Sequence, residues 1–232
     1  MKSITLIGKK VLSTVLLSLC VTTGFGQHIF NVDPVQAAEI AAFMKQPSAV
    51  EGKCNAEVLG IVTTASEFSW DDINTWKNAD GKVWADGATA DYAPTVFGFG
   101  FKKNAPYNGG ASWICLITNK DDDKWNPAIP GVADLKGNFI LSNCNATTVK
   151  IANSQINTIK ICMNNPTEDC YISTKRNSNL EQLDISGSTG KLRQIEAYKN
   201  KFRDETSLVA DNLGEKVLID WLFNIENNLY TF

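Results

Sequence analysis

A short strand-like unit recurs about every ten or eleven residues between residues 138 and 202. Each unit has three residues, of which the first and the last are apolar. A small polar residue usually follows the unit. The units are 139–141, 149–151, 159–161, 170–172, 183–185 and 195–197. A repeat of this kind predicts stacked coils rather than one globule, because each coil buries its apolar residues only against its neighbours.

The spacing of the units predicts the size of a coil, since two consecutive units span about 20–25 residues. Alternate residues of a strand point to opposite sides, so the two apolar residues of each unit are expected to face inward. Asparagines behind the strands are expected to bond free backbone groups at the turns. These turn residues are Asn143, Asn153, Asn164 and Asn200.

The middle residue of each unit is expected to face outward and to form a binding face. The charged residues in these positions are Lys150, Lys160, Asp184 and Glu196. Solvated strand residues would show the same pattern, so the sequence leaves open whether this face binds a ligand or is only exposed.

The first 26 residues have the pattern of a secretory signal peptide: three lysines, an apolar run at 11–21 and small residues at positions 24 and 26. The run is shorter than the roughly 20 residues of a membrane span. Leu19 before Cys20 argues against a lipid anchor, so cleavage after Gly26 is expected. Export to the cell envelope or the extracellular space follows, without a membrane span.

Cleavage would remove three lysines and change the formal net charge from −3 to −6. An acidic chain is a poor candidate for binding nucleic acid or an anionic membrane surface, because it gains no counterion-release energy there. Five cysteines would remain, and an odd number leaves at least one unpaired. Cys144 and Cys162 are expected to be small buried side chains, and Cys162–Cys170 would close the shortest loop if a disulfide forms.

Helical segments are expected at both ends of the repeats. Asp33 can cap a helix whose first turn holds Pro34, and this helix should end before Pro47. A second short helix is expected at 54–59. Residues 207–232 predict an amphipathic helix that covers the open end of the coils. Its apolar residues, spaced by three and four, are Leu213, Val217, Trp221, Leu222, Ile225 and Leu229.

The region 66–130 is rich in tryptophan and glycine. Its alternation of phenylalanine and glycine at 96–101 predicts a strand whose small residues lie where something packs close, and 113–117 predicts a second strand. Four tryptophans are either core residues, which is the favoured interpretation, or a surface on which sugars stack. They are Trp70, Trp76, Trp84 and Trp125.

The segment 183–202 resembles the short repeat of secreted bacterial leucine-rich-repeat proteins, in which a unit LDVS-x-N alternates with a unit L-x-x-L-x-C/A-x-x-N. The residues that match are Leu183, Ile185 and Ser186 in the first unit and Leu192, Ile195, Ala197 and Asn200 in the second. The helix at 39–48 and the tryptophan-rich stretch are similar to the start of such proteins, whereas 162–177 departs from the repeat. The resemblance implies a parallel-stranded solenoid, export, and binding of a protein or glycan without catalysis.

Residues for nucleophilic or metal chemistry are scarce. His28 is the single histidine, there is no G-x-S-x-G motif, and no C-x-x-C pair suggests zinc. The acidic run 121–123 is a solvated turn or a calcium ligand set, and the solvated turn is favoured. Paired carboxylates of the glycosidase type need only spatial proximity and stay open. We therefore expect no enzyme, no cofactor and no metal.

Together these observations predict an α+β chain with a short leucine-rich-repeat-like parallel β-solenoid, capped by an N-terminal helical and tryptophan-rich region and by a C-terminal helix. The divisions are 1–26, 27–130, 131–206 and 207–232. The expected function is a secreted monomeric module that binds a protein or glycan through the strand face. One alternative is a carbohydrate-binding or carbohydrate-processing accessory domain that uses 66–130, and another is a structural remnant that has lost most of its repeats.

Overall fold

The computed structural model describes most of the chain after residue 32. The described residues are 33–81, 92–94, 97–102, 111–118, 128–165, 168–211 and 218–220. Residues 1–26, His28, the acidic run 121–123, Trp84 and Trp125 lie outside them. In the described part no helix is long and apolar enough to cross a membrane.

The described elements are mostly strands, with two α-helices and three short 3-10 helices. The helices are α1 Pro34–Lys45, α2 Asn55–Val58 and the 3-10 turns Ile73–Thr75, Pro130–Asp134 and Glu205–Ser207. The strands are β1 Tyr92–Pro94, β2 Phe99–Lys102, β3 Ala111–Ile117, β4 Lys136–Cys144, β5 Thr148–Ala152, β6 Gln155–Met163, β7 Asp169–Lys175, β8 Gln182–Asp184, β9 Lys191–Tyr198, β10 Leu208–Val209 and β11 Leu218–Asp220.

From β4 onward the strands alternate between two sheets. The long sheet has the order β1-β2-β3-β5-β7-β9-β11, and the short sheet has the order β10-β8-β6-β4. All pairings from β3 onward are parallel, whereas β1, β2 and β3 pair antiparallel. Each coil therefore contributes one strand to each sheet. This confirms the α+β class and a parallel β-solenoid of about three turns.

The core lies between the two sheets and consists of columns of aligned apolar residues. On the long sheet Val149 pairs with Ile172, which in turn pairs with Ile195, and all three are at most 1% exposed. On the short sheet Phe139 and Ile159 form the corresponding column, both fully buried. Burying one such side chain stabilises the fold by about 1.5–3 kcal/mol, so each residue of the columns contributes to stability.

A ladder of buried polar side chains runs along the corner where each coil leaves the long sheet. The Asn177 carboxamide accepts a hydrogen bond from the Ser154 backbone N–H (3.0 Å) and donates to the Ile151 carbonyl (3.0 Å). One coil further, Asn200 accepts from the Asn177 N–H (3.1 Å) and donates to the Thr174 carbonyl (2.9 Å). Both asparagines are at most 4% exposed. They thus satisfy backbone groups that have no strand partner at the corner.

The backbone at this corner repeats as well. The residue before each ladder position has a positive φ, namely 61° at Asn153, 55° at Arg176 and 57° at Lys199. This left-handed conformation turns the chain sharply, and it is uncommon outside glycine and asparagine. The corner therefore has the same geometry in each of the three coils.

The expected role of turn asparagines is confirmed for Asn200 and for Asn164, whose side-chain oxygen accepts a hydrogen bond from the Thr189 backbone N–H (3.3 Å). Asn143 and Asn164 bond each other at the opposite corner, where the Asn164 amide donates to the Asn143 side-chain oxygen (3.0 Å). Asn153 takes the left-handed turn position, and its side-chain oxygen accepts a hydrogen bond from Arg176 (3.2 Å). The sequence reasoning missed Asn177, the central residue of the buried ladder.

Helix α1 begins and ends where the sequence predicts. The Asp33 carboxylate accepts a hydrogen bond from the Gln36 N–H (2.9 Å), Pro34 is the first helical residue, and the helix ends before Pro47. Helix α2 lies within the predicted range 54–59. Both helices lie beside the first solenoid strand, where the Phe43 and Phe139 rings pack edge to face with centroids 5.0 Å apart.

Side chains of these helices and the residues that follow them bond the open edge of β4. Gln36 donates to the Asn143 carbonyl, and Glu39 accepts from the Ser142 N–H. Gln46 bonds both the N–H and the carbonyl of Asn138. Asn55 bonds both the N–H and the carbonyl of Lys136. An unpaired strand edge invites association with other chains. The bonds at this edge close the N-terminal end of the short sheet.

Glycine alternates with phenylalanine before β3 because a neighbouring group packs close to the strand, as the sequence predicted. A Cβ atom at Gly100 would lie 2.0 Å from the Trp113 ring, so only glycine leaves room for that ring on the neighbouring strand. The predicted strand at 113–117 is confirmed as β3.

The prediction of a C-terminal helix over 207–232 is wrong wherever the structure describes that segment. Leu208–Val209 and Leu218–Asp220 are strands, and the first pairs with β8 while the second pairs with β9. Residues 212–217 and 221–232 lie outside the described part. The edges of β8 and β9 offer a full row of backbone partners, and this outweighs the helical spacing of the apolar residues.

The five described cysteines are free thiols. Cys144 is fully buried as expected, and so is Cys170, whereas Cys162 is only half-buried and donates to the Gly187 carbonyl (2.9 Å). Burial raises the pKa of the Cys144 thiol to about 12. Because the thiolate is the reactive form, Cys144 is chemically inert in the folded chain at neutral pH.

We expect the ladder to be far more important to stability than the opposite corner. Asn177→Ala leaves two buried backbone groups, the Ser154 N–H and the Ile151 carbonyl, without this side-chain partner and should lower the free energy of unfolding by about 2–4 kcal/mol, measured by urea denaturation. Asn143→Ala is the matched control and should cost less than about 1 kcal/mol, since the hydrogen bond between its side chain and the Asn164 amide is exposed. Equal losses would show that the ladder has no special structural role.

Thiol labelling should follow burial. Iodoacetamide at pH 8 is expected to modify Cys144 and Cys170 only after unfolding, while the half-buried Cys54 and Cys162 react earlier. Mass spectrometry of a labelling time course measures the order. Modification of Cys144 in the folded protein would contradict the arrangement of the core.

Candidate functional site

The structure does not bring the four predicted binding residues together on one face. Lys150 and Glu196 lie on β5 and β9 of the long sheet, whereas Lys160 and Asp184 lie on β6 and β8 of the short sheet. The two sheets pack their apolar faces against each other, so their outward residues point in opposite directions. The single binding face expected from the sequence is therefore two separate faces.

On the short sheet the predicted residues form a closed ion pair. Lys160 Nζ lies 2.8 Å from Asp184 Oδ2, and Ser186 donates from both its backbone N–H (2.9 Å) and its hydroxyl (2.6 Å) to Asp184 Oδ1. Asp184 is 9% exposed. Burial alone would raise the pKa of this carboxyl, but the bonds from Lys160 and Ser186 lower it overall. Both carboxylate oxygens are thus engaged within the fold.

The outer face of the long sheet carries a shallow groove of about 380 Å³. Two rows of aligned residues cross β5, β7 and β9 and line it; they are Thr148, Tyr171 and Gln194 in one row and Lys150, Ser173 and Glu196 in the other. Lys175 lies at one end of the groove. We call this set the long-sheet groove.

Glu196 is the centre of a hydrogen-bond network in the groove. Its carboxylate accepts from Lys175 Nζ (2.7 Å), the Ser173 hydroxyl (3.0 Å) and the Gln194 amide (3.0 Å). Burial would raise the pKa of Glu196, but the bonds from Lys175 and Ser173 and the charge of Lys150 lower it overall. The carboxylate is therefore ionised at neutral pH and held in one orientation.

Lys175 is fixed from two sides. It bonds Glu196, and its ammonium group lies 4.9 Å from the centroid of the Tyr198 ring, which is a favourable cation–π distance. Burial would lower the pKa of Lys175, but its bonds to Glu196 and Tyr198 raise it overall. The ammonium group is charged at neutral pH.

Tyr171 differs from the other groove residues because it is a large apolar side chain that remains 42% exposed. Sequence reasoning missed it although it is the middle residue of a repeat unit. The cause is that only the charged middle residues were chosen as binding candidates. In the structure Ile151 pairs with Thr174, so Tyr171 lies beside Thr148 and Ser173 beside Lys150. The signal that could have found it is that Tyr171 is the single aromatic residue among the middle residues of the six units.

Two of the four candidate tryptophans, Trp70 and Trp76, lie in the described part. Both pack against the core, as the favoured interpretation predicted. Trp76 is 1% exposed, and its ring nitrogen donates to the Ser69 carbonyl (2.9 Å). Trp70 packs edge to face on Phe68 (4.8 Å between centroids) and lies under Lys45 Nζ (5.3 Å). These two rings are structural.

The groove presents charged and polar side chains that can bind a ligand. Its single carboxylate is held ionised by three donors, and its described side chains include no histidine or cysteine. In the described ranges, groups of three or more histidine, cysteine, aspartate or glutamate residues that could hold a metal ion are absent. A polar network beside an exposed aromatic ring suits reversible contact with a polar ligand.

The Glu196 network should stabilise the fold at neutral pH and lose this effect in acid. The folded-state pKa of Glu196 lies below the unfolded value, so the contribution is present above the unfolded pKa and disappears as the pH falls through the folded one. Glu196→Gln should cost about 1 kcal/mol at pH 7, allowing for partial exposure, and the difference from wild type should shrink below about pH 4.

Glu181→Gln is the control for that measurement. Glu181 pairs with Lys201 at 2.6 Å, but both side chains are more than 40% exposed, so a much smaller change is expected. Urea unfolding at several pH values measures both variants. A pH-independent effect of Glu196→Gln would contradict the assigned role of the carboxylate.

Comparison of the chain with protein-family models, with curated proteins and with solved structures found no match.

Proposed function

We propose that the protein is exported and acts as a non-enzymatic module that binds a protein or a glycan with the outer face of the long sheet. The observation that carries the proposal is the groove in which an exposed Tyr171 lies among polar side chains held by mutual hydrogen bonds. Oriented polar groups beside an apolar surface provide specificity at little entropic cost.

A relationship to secreted leucine-rich-repeat proteins is part of this proposal. It is supported by the two units per coil, because the family alternates two kinds of unit and each coil here contains one strand in each sheet. Export is supported by the sequence pattern of residues 1–26 alone. The proposed protein works as a monomer at the cell envelope or outside the cell and needs no cofactor.

The alternative function, a carbohydrate-binding or carbohydrate-processing domain centred on 66–130, has less support. Of its four tryptophans, Trp76 is buried and Trp70 packs against Phe68, so these two rings offer little surface to a sugar. The other two lie outside the described residues. The long-sheet groove is the better candidate, because Tyr171 is the more accessible aromatic side chain.

One pair of variants tests which sheet binds. The mature protein is screened against glycans and extracellular proteins. The affinity of each ligand found is then measured for the variants Lys150→Glu, on the long sheet, and Lys160→Glu, on the short sheet. We expect Lys150→Glu to weaken binding at least about tenfold, equivalent to about 1.4 kcal/mol, and Lys160→Glu to leave it unchanged. Binding that survives both reversals would remove the two strand faces from consideration.

A further inference from the structure

We propose that the long-sheet groove binds a neutral, extended β-linked glycan that lies across the strands, along the row of Thr148, Tyr171 and Gln194. This inference rests on the proposed function, because it names the class of ligand and its direction on the same sheet face. Three properties support it: the row is uncharged, the charged side chains beside it bond one another, and its spacing suits a chain of sugars.

The uncharged row is bordered on one side by a closed ion pair. Thr148, Tyr171 and Gln194 lie side by side on β5, β7 and β9. Asp169 comes two residues before Tyr171, so it faces the same side of β7. Its Oδ1 atom accepts a hydrogen bond from Arg193 Nε (2.9 Å). This pair borders the row where β7 and β9 begin.

The charged groups on the other side of the row are engaged as well. Glu196 accepts a hydrogen bond from Lys175 Nζ at 2.7 Å. Lys150 interacts within the chain, and its charge helps to lower the pKa of Glu196. An ionic ligand would have to compete with these existing partners, so a charge on the ligand gains little here. The row itself offers hydroxyl and amide groups, which suit the hydroxyls of a neutral sugar.

The aromatic ring at the centre of the row suits a pyranose. A sugar ring has an apolar face of C–H groups and a rim of hydroxyls, and a tyrosine likewise combines an apolar ring with a polar end. Tyr171 is 42% exposed, with Thr148 and Gln194 beside it. A sugar stacked on Tyr171 would therefore place its hydroxyls near groups that both donate and accept hydrogen bonds.

The spacing of the row sets the direction of the ligand. Neighbouring strands are about 4.8 Å apart, and an extended β-1,4-linked glycan advances by about the same distance with each sugar. The charged borders lie two residues to either side along the strands, about 7 Å from the row, which leaves room for one chain of pyranose rings. A ligand that ran along the strands would instead cross the ion pairs. The glycan is thus expected to run across the strands.

A second aromatic residue continues the row. Trp113 on β3 pairs with Thr148, is half-buried and packs against a small apolar cluster on the outer face of the long sheet. From Trp113 to Gln194 the row covers three strand spacings, about 14 Å. About three or four sugars therefore span it.

The size of the groove favours a glycan over a protein. Its volume of about 380 Å³ lies at the lower end of the roughly 300–1,000 Å³ of small-molecule sites. A stable protein interface instead covers roughly 800 Å² on each partner. A folded protein would need contacts well beyond the groove.

Calorimetry of the mature chain with oligosaccharides of increasing length tests the inference. The probes are β-1,4-linked oligomers of glucose, N-acetylglucosamine, xylose and mannose, and α-1,4-linked glucose oligomers are the control because their chain curves. We expect at least one β-linked series to bind, with an affinity that rises up to about three or four sugars and then levels off. The α-linked series should bind at least about tenfold more weakly than that series, and added salt should have no effect.

Charged counterparts test the preference for a neutral ligand. Glucosamine oligomers carry ammonium groups in place of the N-acetyl groups, and glucose oligomers oxidised at C6 carry carboxylates. Neither should bind more tightly than its neutral counterpart. Tighter binding of either charged series would overturn the inference, and so would the absence of binding by every neutral β-linked series.

Variants assign the contacts. Tyr171→Ala should abolish binding, whereas Tyr171→Phe keeps the ring and should retain most of it. Ile140→Ala on the short sheet is the matched control, since Ile140 is 44% exposed and Tyr171 is 42% exposed, and it should change nothing. Thr148→Val should weaken binding at least about threefold, while Thr158→Val on the short sheet should not. Circular dichroism checks folding, and binding that survives Tyr171→Ala would overturn the inference.

The inference and the proposed function can fail separately. If no neutral oligomer binds but a protein or charged glycan from the screen is lost with Lys150→Glu, the neutral-glycan assignment is wrong and the long-sheet face remains the binding face. If no ligand responds to any long-sheet variant, both proposals are wrong.

Discussion

The structure depends on how the chain turns out of the long sheet without leaving buried backbone groups unbonded. Asn177 and Asn200 solve this problem by bonding an N–H and a carbonyl of the preceding coil from inside the corner. The two are 23 residues apart, as are Ser154 and Asn177. Since a carboxamide both donates and accepts, it couples one coil to the next, and the apolar column of the long sheet follows the same 23-residue step.

The same 23-residue step also builds the candidate site. Ser173 and Glu196 are one step apart on neighbouring strands and share a hydrogen bond, and Lys150 precedes Ser173 in the row. The corner that stabilises the solenoid therefore places a lysine, a serine and a glutamate side by side on its surface. The candidate binding face and the core lie on opposite faces of the same strands, so groove residues such as Tyr171 can change with little effect on the core.

Local signals predicted local structure well. Asp33 and Pro34 marked the start of α1, and the repeat units marked strands, because capping and strand alternation depend on residues close in sequence. The register at 170–172 was not predictable in this way. Thr174 replaces an apolar residue in a core column, and this is possible because its hydroxyl lies 3.4 Å from the Asn200 amide of the next coil. The C-terminal segment was also not predictable from its spacing of apolar residues, which is typical of a helix. Its described parts form strands, since the open edges of β8 and β9 offered more hydrogen bonds.

The sequence by itself determined that the chain forms short strands, that two of them make one coil and that alternate residues face inward, because these properties follow from periodicity. Only the tertiary structure decided which outward residues share a face. Successive strands go to opposite sheets, so Lys150 and Lys160, ten residues apart in sequence, lie on opposite sides of the molecule. Residues about a full coil apart, such as Tyr171 and Gln194, are neighbours instead. The candidate site is thus a product of stacking between coils, which no single repeat unit contains.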